Sequence, residues 1–240
     1  VNAGNSIVSG GNYNVVVGDE AGTAITTGDD NVAIGYAALD ALSVGSRSVA
    51  IGSGALTALT ATGNAYNTAV GYLAGTAVTT GIRNNFFGAE AGEALTEGTD
   101  NIAIGYQTLT ADTKGSKSVA IGNNALDAQN FTSATDAYNV AIGQAAGSAV
   151  TTGVQNTLIG GLAGDAITTG YYNTALGKDA LGTNTLSSLN VAIGHSALKT
   201  MSAGNAETHN VAVGANAGLS VTTGVQNTFI GGLAGDAATT

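Results

Sequence analysis

Cysteine, proline and tryptophan are missing from all 240 residues, and charge is scarce. Without cysteine there is no disulfide framework and no thiolate to complete a zinc set; that absence suits an extracellular repeat that needs no disulfides and a cytosolic chain alike. Six Lys and Arg, spread singly, stand against sixteen Asp and Glu, for a formal net charge of −10. Such a balance offers no basic footprint for a phosphate backbone, which argues against nucleic acid as a partner. No run approaches the roughly 18 apolar residues of a membrane span, and neither end carries a basic segment leading into an apolar one, so neither span nor signal peptide is expected in this segment. Aromatics make up 5% and charged residues 9%, whereas 44% of the chain is hydrophobic. Ala, Val and Ile must therefore fill the interior, as thin layers of small side chains. The same balance separates the chain from disordered proteins, which are poor in apolar residues.

Glycine is abundant, at 37 residues, and so is one phrase. NVAIG runs from Asn31 to Gly35 and recurs at Asn139 to Gly143 and Asn190 to Gly194, with SVAIG at Ser48 to Gly52 and Ser118 to Gly122. Looser copies extend from Asn14 to Gly18 through Asn227 to Gly231. The openings fall at Asn14, Asn31, Ser48, Asn67, Asn84, Asn101, Ser118, Asn139, Asn156, Asn173, Asn190, Asn210 and Asn227, and nine of the twelve steps are 17 residues. A fixed period of this length is the signature of a solenoid or roll whose units fold only by stacking. The chain begins and ends inside this pattern, so it is expected to be a single repeat domain, 1–240, cut from a longer fibre.

A second phrase follows the first, as in AGTAITTG from Ala21 and AGSAVTTG from Ala146. One unit accordingly reads as strand, Gly turn, strand, Gly turn. Short runs of Val, Ile, Ala and Thr favour β over helix, and a Gly about twice per unit would cost a helix roughly 1 kcal/mol each. The recurrent glycines, Gly35, Gly52, Gly71, Gly88, Gly105, Gly122, Gly143, Gly160, Gly177, Gly194, Gly214 and Gly231, are assigned to the corner, supplying a positive φ or a close backbone approach. Stacked Asn at the opposite corner is expected to bond to its copies above and below. Coils stacked at the strand spacing would make a rod of roughly 60 Å.

In NVAIG, Val and Ile point to one face and Ala to the other, and a strand apolar on both faces is usually covered on both. One face packs within the coil; the other needs a partner that a thin roll does not contain. The residues assigned to this self-associating strand are Val32, Ile34, Val49, Ile51, Val119, Ile121, Val140, Ile142, Val191 and Ile193.

SRSVAIGSGALTA at Ser46 to Ala58 and SKSVAIGNNALDA at Ser116 to Ala128 resemble the head repeats of YadA-type trimeric adhesins. The resemblance implies a left-handed parallel β-roll, three copies around a central axis, and the VAIG strand turned toward that axis. TTGVQNTLIGGLAG from Thr151 resembles repeats in tail-fibre and surface proteins of phages and environmental bacteria. A bacterial surface or a virion tail is the location these resemblances imply.

The three long steps follow Ser48, Ser118 and Asn190, with two, four and three extra residues. They are expected to bulge from one edge at intervals of four coils. A receptor-contact ridge is assigned there to Asn64, Tyr66, Phe131, Asp136, Tyr138, Asn205 and His209, because aromatic rings and amides can stack on and hydrogen-bond to sugars. The bland alternative is loop length tolerated at little entropic cost.

Other signals carry less. GGLAGDAITTG at Gly160 to Gly170 resembles calcium rolls, yet the Asp recurs only as Asp165 and Asp236, too few ligands for a site. Paired acids such as Asp29 with Asp30, or Glu90 with Glu93, define no pocket. His195 and His209 read as surface histidines, and no P-loop, nucleophile elbow or zincin motif is present. Thr pairs at 26–27, 79–80, 151–152, 168–169 and 222–223 raise an ice-binding face, but adjacent strand residues point to opposite faces, and the ladder breaks at Ser43 with Val44 and at Thr113 with Lys114. The sequence is thus expected to encode an all-β parallel roll with 17-residue coils, a homotrimer, forming a non-enzymatic extracellular fibre or adhesin segment. No cofactor or metal is assigned, and the expected partners are further copies of the chain and a host-surface glycan or protein. A purely structural filament and an ice-binding solenoid are the alternatives.

Overall fold

The computed structural model describes residues 2–204 and 206–239, which contain strands, bridges and turns and no α-helix. No helix is long and apolar enough to cross a membrane among these residues. The chain is a parallel β-solenoid of thirteen coils, each contributing one three-residue strand. It divides into two compact units, Val1–Lys117 with Asn130–Thr135 and Ser118–Gln129 with Asp136–Thr240.

In the first unit, β1 (Val15–Val17), β2 (Val32–Ile34), β3 (Val49–Ile51), β4 (Thr68–Val70), β5 (Asn85–Phe87) and β6 (Ile102–Ile104) pair in chain order, parallel and in register. A two-residue strand, β7 (Gly115–Ser116), follows. The second unit opens with β8 (Val119–Ile121); β9 (Thr135–Asp136) is another two-residue piece. Then β10 (Val140–Ile142), β11 (Thr157–Ile159), β12 (Thr174–Leu176), β13 (Val191–Ile193), β14 (Val211–Val213) and β15 (Thr228–Ile230) continue from β8 in the same parallel register. The long steps do not disturb that register: Val49 pairs with Thr68, Val119 with Val140 and Val191 with Val211. Extra length is absorbed before the next opening residue, where the pleat constrains nothing.

Strand alternation sorts the faces. The middle residue of each strand turns inward, so Ala33, Ala50, Ala103, Ala141 and Ala192 are fully buried. Its two neighbours face outward and stay half-covered, as at Val32, Ile34, Val140 and Ile142.

Among the described residues, no strand forms in the phrase where a second one was expected in each coil. AGTAITTG and its copies are built from turns, because the residues two and four places after the corner glycine take left-handed backbone: Glu20 and Gly22, Ala37 and Leu39, Gln107 and Leu109 all have φ between 50° and 60°. A chain alternating between left- and right-handed conformations closes tight turns, such as Ala21 N to Gly18 O at 3.4 Å and Ile25 N to Gly22 O at 3.2 Å. It still sends amides along the stack, as Gly22 N to Ala38 O at 2.8 Å. Ala, Val and Thr looked strand-like here because β-propensity records fit to a packed surface more than backbone preference.

The corner glycines meet both requirements set for them. Gly18 has φ 126° and Gly177 φ 135°. A Cβ on Gly18 would stand 2.7 Å from the Gly35 carbonyl oxygen, and one on Gly177 2.6 Å from that of Gly194. Each coil thus rests its corner directly on the backbone of the next.

The interior follows a period of four coils. In successive coils the inward strand residue and the residue four after the corner glycine are Ala33 with Leu39, Ala50 with Leu56, Ala69 with Gly75, then Phe86 with Gly92. The second unit repeats it as Ala120 with Leu126, Ala141 with Gly147 and Leu158 with Gly164. A Cβ on Gly75 would fall 2.8 Å from the Phe86 ring, and one on Gly147 2.7 Å from Leu158. One large side chain therefore fills the room left by two glycines, while Leu fills it where the strand residue is Ala.

Candidate functional site

The opening Asn is the inner half of the edge on which the ridge was placed. Asn156 accepts from the Asn173 backbone N–H (3.0 Å) through Oδ1 and donates through Nδ2 to Gly170 O (2.9 Å). The same pair of bonds ties Asn31 to Ser48 N and Gly45 O, and Asn84 to Asn101 N and Gly98 O. These amides are buried, and their main partners are backbone groups of the stack. Direct amide-to-amide bonds also occur, from Asn101 to Asn84 at 3.1 Å and from Asn173 to Asn156 at 3.2 Å.

The residue before each opening forms the outer half. It is left-handed in every coil, from Tyr13 (φ 57°) through Arg47, Tyr66, Arg83 and Asp100 to Tyr138, Tyr172, His209 and Gln226 (φ 58°). Its backbone thereby buries the Asn behind it and throws its own side chain out. Tyr66, Tyr138 and His209 are exposed members of this regular column and do not belong to the inserted residues. In the first unit the column is ionic. Arg47 donates to the Tyr66 hydroxyl (2.8 Å), sits 5.7 Å over its ring and lies 3.6 Å from Asp30. Arg83 holds Asp100 with two bonds of 2.6 and 2.9 Å, which lowers the Asp100 pKa below the ordinary carboxylate value. In the second unit the column reads Tyr138, Gln155, Tyr172, Leu189, His209 and Gln226. There Tyr171 packs edge-on against Tyr172 with centroids 5.3 Å apart and donates to Glu207 (3.0 Å), and that hydrogen bond raises the Tyr171 pKa.

The inserted residues fold back on the preceding coil. Ser46 bridges Asn64 and Ser188 bridges Glu207, each in parallel fashion. Asn64 and Asp136 are exposed, and Asn205 lies outside the described residues. Phe131 corrects the sequence reading: it is 6% exposed, its N–H donating to Asp112 Oδ1 (3.0 Å) and its carbonyl accepting from Lys114 N (2.9 Å). Burying so large an apolar ring under its own loop is favourable and removes it from the contact surface. Beside the first insertion an open hollow of about 330 Å³ is lined by Thr60, Ala61, Thr62, Gly63, Asn64, Thr80 and Ile82.

The whole outer column, Arg47, Arg83, Asp100 and Tyr172 included, is carried in the sequence as the residue before every opening. The first threonine of the Thr pairs donates its hydroxyl to the next coil's carbonyl, as Thr79 to Thr96 (3.2 Å) and Thr168 to Thr185 (3.0 Å). Those hydroxyls serve the stack itself. Among the described residues no group of three or more His, Cys, Asp or Glu could hold a metal ion.

The other exposed feature is the outer strand face. Its second column, Val17, Ile34, Ile51, Val70, Phe87 and Ile104 in the first unit, continues as Ile121, Ile142, Ile159, Leu176, Ile193, Val213 and Ile230 in the second. Every member is apolar, and Ile51, Phe87, Ile104 and Leu176 are 36–43% exposed. No family model, curated protein or solved structure matches the chain.

Proposed function

We propose that this chain is a non-enzymatic segment of a trimeric extracellular fibre or adhesin, on a bacterial surface or a virion tail, that gives a rigid shaft with multivalent attachment. The observation that carries the reading is the outer strand face. All thirteen coils present an apolar residue at its second column, and a single chain leaves that column partly in water. Contiguous exposed apolar surface of this extent marks association. Three copies packed along it would cover one apolar side chain from every coil, Val or Ile in eleven of them and Phe87 and Leu176 in the other two; each is already partly covered, so finishing its burial is worth roughly 1 kcal/mol.

The ridge column then lies along each subunit's edge, where weak contacts repeated every coil sum through effective concentration. Tyr66, Tyr138 and His209, with Asn64 and Asp136 beside them, are its receptor-facing groups on this reading. The test is the mass of the chain in solution by light scattering, with Ile51→Asp/Ile142→Asp as the variant. A trimer that the paired substitution dissociates is expected; a well-folded monomer for the unmodified chain overturns the proposal.

A further inference from the structure

One position of the first unit repeats at double the coil period. The residue directly after the corner glycine is Tyr36, Ser53, Tyr72, Ala89 and Tyr106 in five successive coils. Backbone bonds fix this register: Gly54 N to Tyr36 O at 2.8 Å, Leu73 N to Ser53 O at 2.9 Å, Glu90 N to Tyr72 O at 2.8 Å and Gln107 N to Ala89 O at 3.1 Å. The three tyrosines are therefore in line, one coil skipped between each, at intervals of about 9.5 Å, twice the strand spacing. They are 56%, 55% and 46% exposed, in a chain with only eight tyrosines and four phenylalanines. The intervening Ser53 and Ala89 are too small to reach the level of the rings.

We propose that Tyr36, Tyr72 and Tyr106 form a binding strip for an extended β-1,4-linked hexose polymer, a glucan or an N-acetylglucosamine chain, lying along the stack. In such a ribbon each sugar is turned over relative to the last, so the same apolar C–H face recurs at every second sugar, a distance close to two coils. An aromatic ring at every second coil meets that face each time, and the small residues between leave space for the sugars turned the other way. Stacking of flat aromatic faces supplies the attraction. Because the solenoid fixes the spacing, little ordering free energy is lost on binding. The strip is complete in one chain and stands independently of the trimer reading.

The test is calorimetric titration of the full chain with cellohexaose, chitohexaose and, as a curved α-1,4-linked control, maltohexaose. Binding of one or both straight oligomers and little binding of maltohexaose are expected, the two straight arms telling glucan from N-acetylglucosamine polymer. Tyr72→Ala should weaken binding about tenfold and Tyr72→Phe within about twofold, since the ring carries the contact. Ser53→Tyr/Tyr72→Ala keeps three tyrosines but breaks the interval, and should bind as poorly as Tyr72→Ala; unchanged circular dichroism shows that it folds. Equal affinity for maltohexaose, wild-type affinity in the interval variant, or no binding of either straight oligomer by the unmodified chain overturns the proposal.

Discussion

Two corners of this solenoid lack the usual asparagine, and they manage the loss differently. At Ser48, in the first unit, the hydroxyl is buried without a hydrogen-bond partner, and the nearby core position is filled by Leu59. At Ser118, in the second, the equivalent core position is Gln129, whose amide donates to Ser118 Oγ (3.1 Å) and accepts from Asn139 Nδ2 (2.9 Å). A buried glutamine has thus taken over bonding that an opening asparagine supplies elsewhere. The contrast shows that a corner without asparagine can meet its buried hydrogen-bonding groups through a different residue, or leave one of them unmet. The first unit tolerates one orphan hydroxyl, within the roughly 1–3 kcal/mol such a group costs.

The comparison breaks most visibly where the amide is intact. Asn156→Ala would leave Asn173 N–H and Gly170 O without their partners and should lower stability by about 3 kcal/mol, read from denaturant midpoints. Ser118→Asn should cost about 2 kcal/mol, because the new amide competes with Gln129 for the same buried space. Adding Gln129→Leu should recover most of that, and a cycle of the two substitutions should give a coupling of about 1–3 kcal/mol. No coupling would mean that Gln129 does not stand in for the missing amide. Ser48→Asn, with no glutamine in the way, should stabilise by about 1 kcal/mol.

A smaller effect separates the same two coils. Asp127 occupies the place of Thr57, and one of its carboxylate oxygens is buried without a partner; burial raises its pKa above the ordinary value. A carboxyl whose folded pKa is raised binds its proton more tightly when native, so stability falls as pH rises through the ordinary carboxylate pKa toward the folded one. Asp127→Thr should therefore raise the melting temperature at pH 7 and give no such gain at pH 3. Asp100, lowered by its hydrogen bonds from Arg83, has the opposite sign: its contribution is present at neutral pH and lost as pH falls through its folded pKa. Being a surface pair, it contributes no more than about 1 kcal/mol, so Arg83→Ala should change the acid limb only slightly.

Much of the coil was legible from single residues. A glycine at one place in all thirteen units announces a backbone need that no other residue meets, and alternation in VAI sorts inward from outward without coordinates. The ridge was half legible. Tyr66, Tyr138 and His209 stand out in the sequence because they precede late openings, yet they belong to a column running through every coil, and Phe131, near Tyr138 in the sequence, folds inside. Insertions draw attention by being irregular, while the surface feature is regular.

The repeat itself determined the coil length, the glycine corner, the stacked asparagine edge and an outer strand face that is apolar at one column in every coil. Only the tertiary structure decided that one strand per coil suffices. Leu39, Gln107 and Glu90 hold left-handed backbone that no local propensity favours, and they do so because their amides donate along the stack to a neighbouring coil, Leu39 to Ala55 O, Glu90 to Tyr72 O and Gln107 to Ala89 O. It also decided that Phe86 and Leu158 sit over paired glycines and that Gln129 reaches a corner eleven residues back in sequence. Those choices depend on which residue lies one coil away, and stacking fixes that neighbour only once the chain has wound.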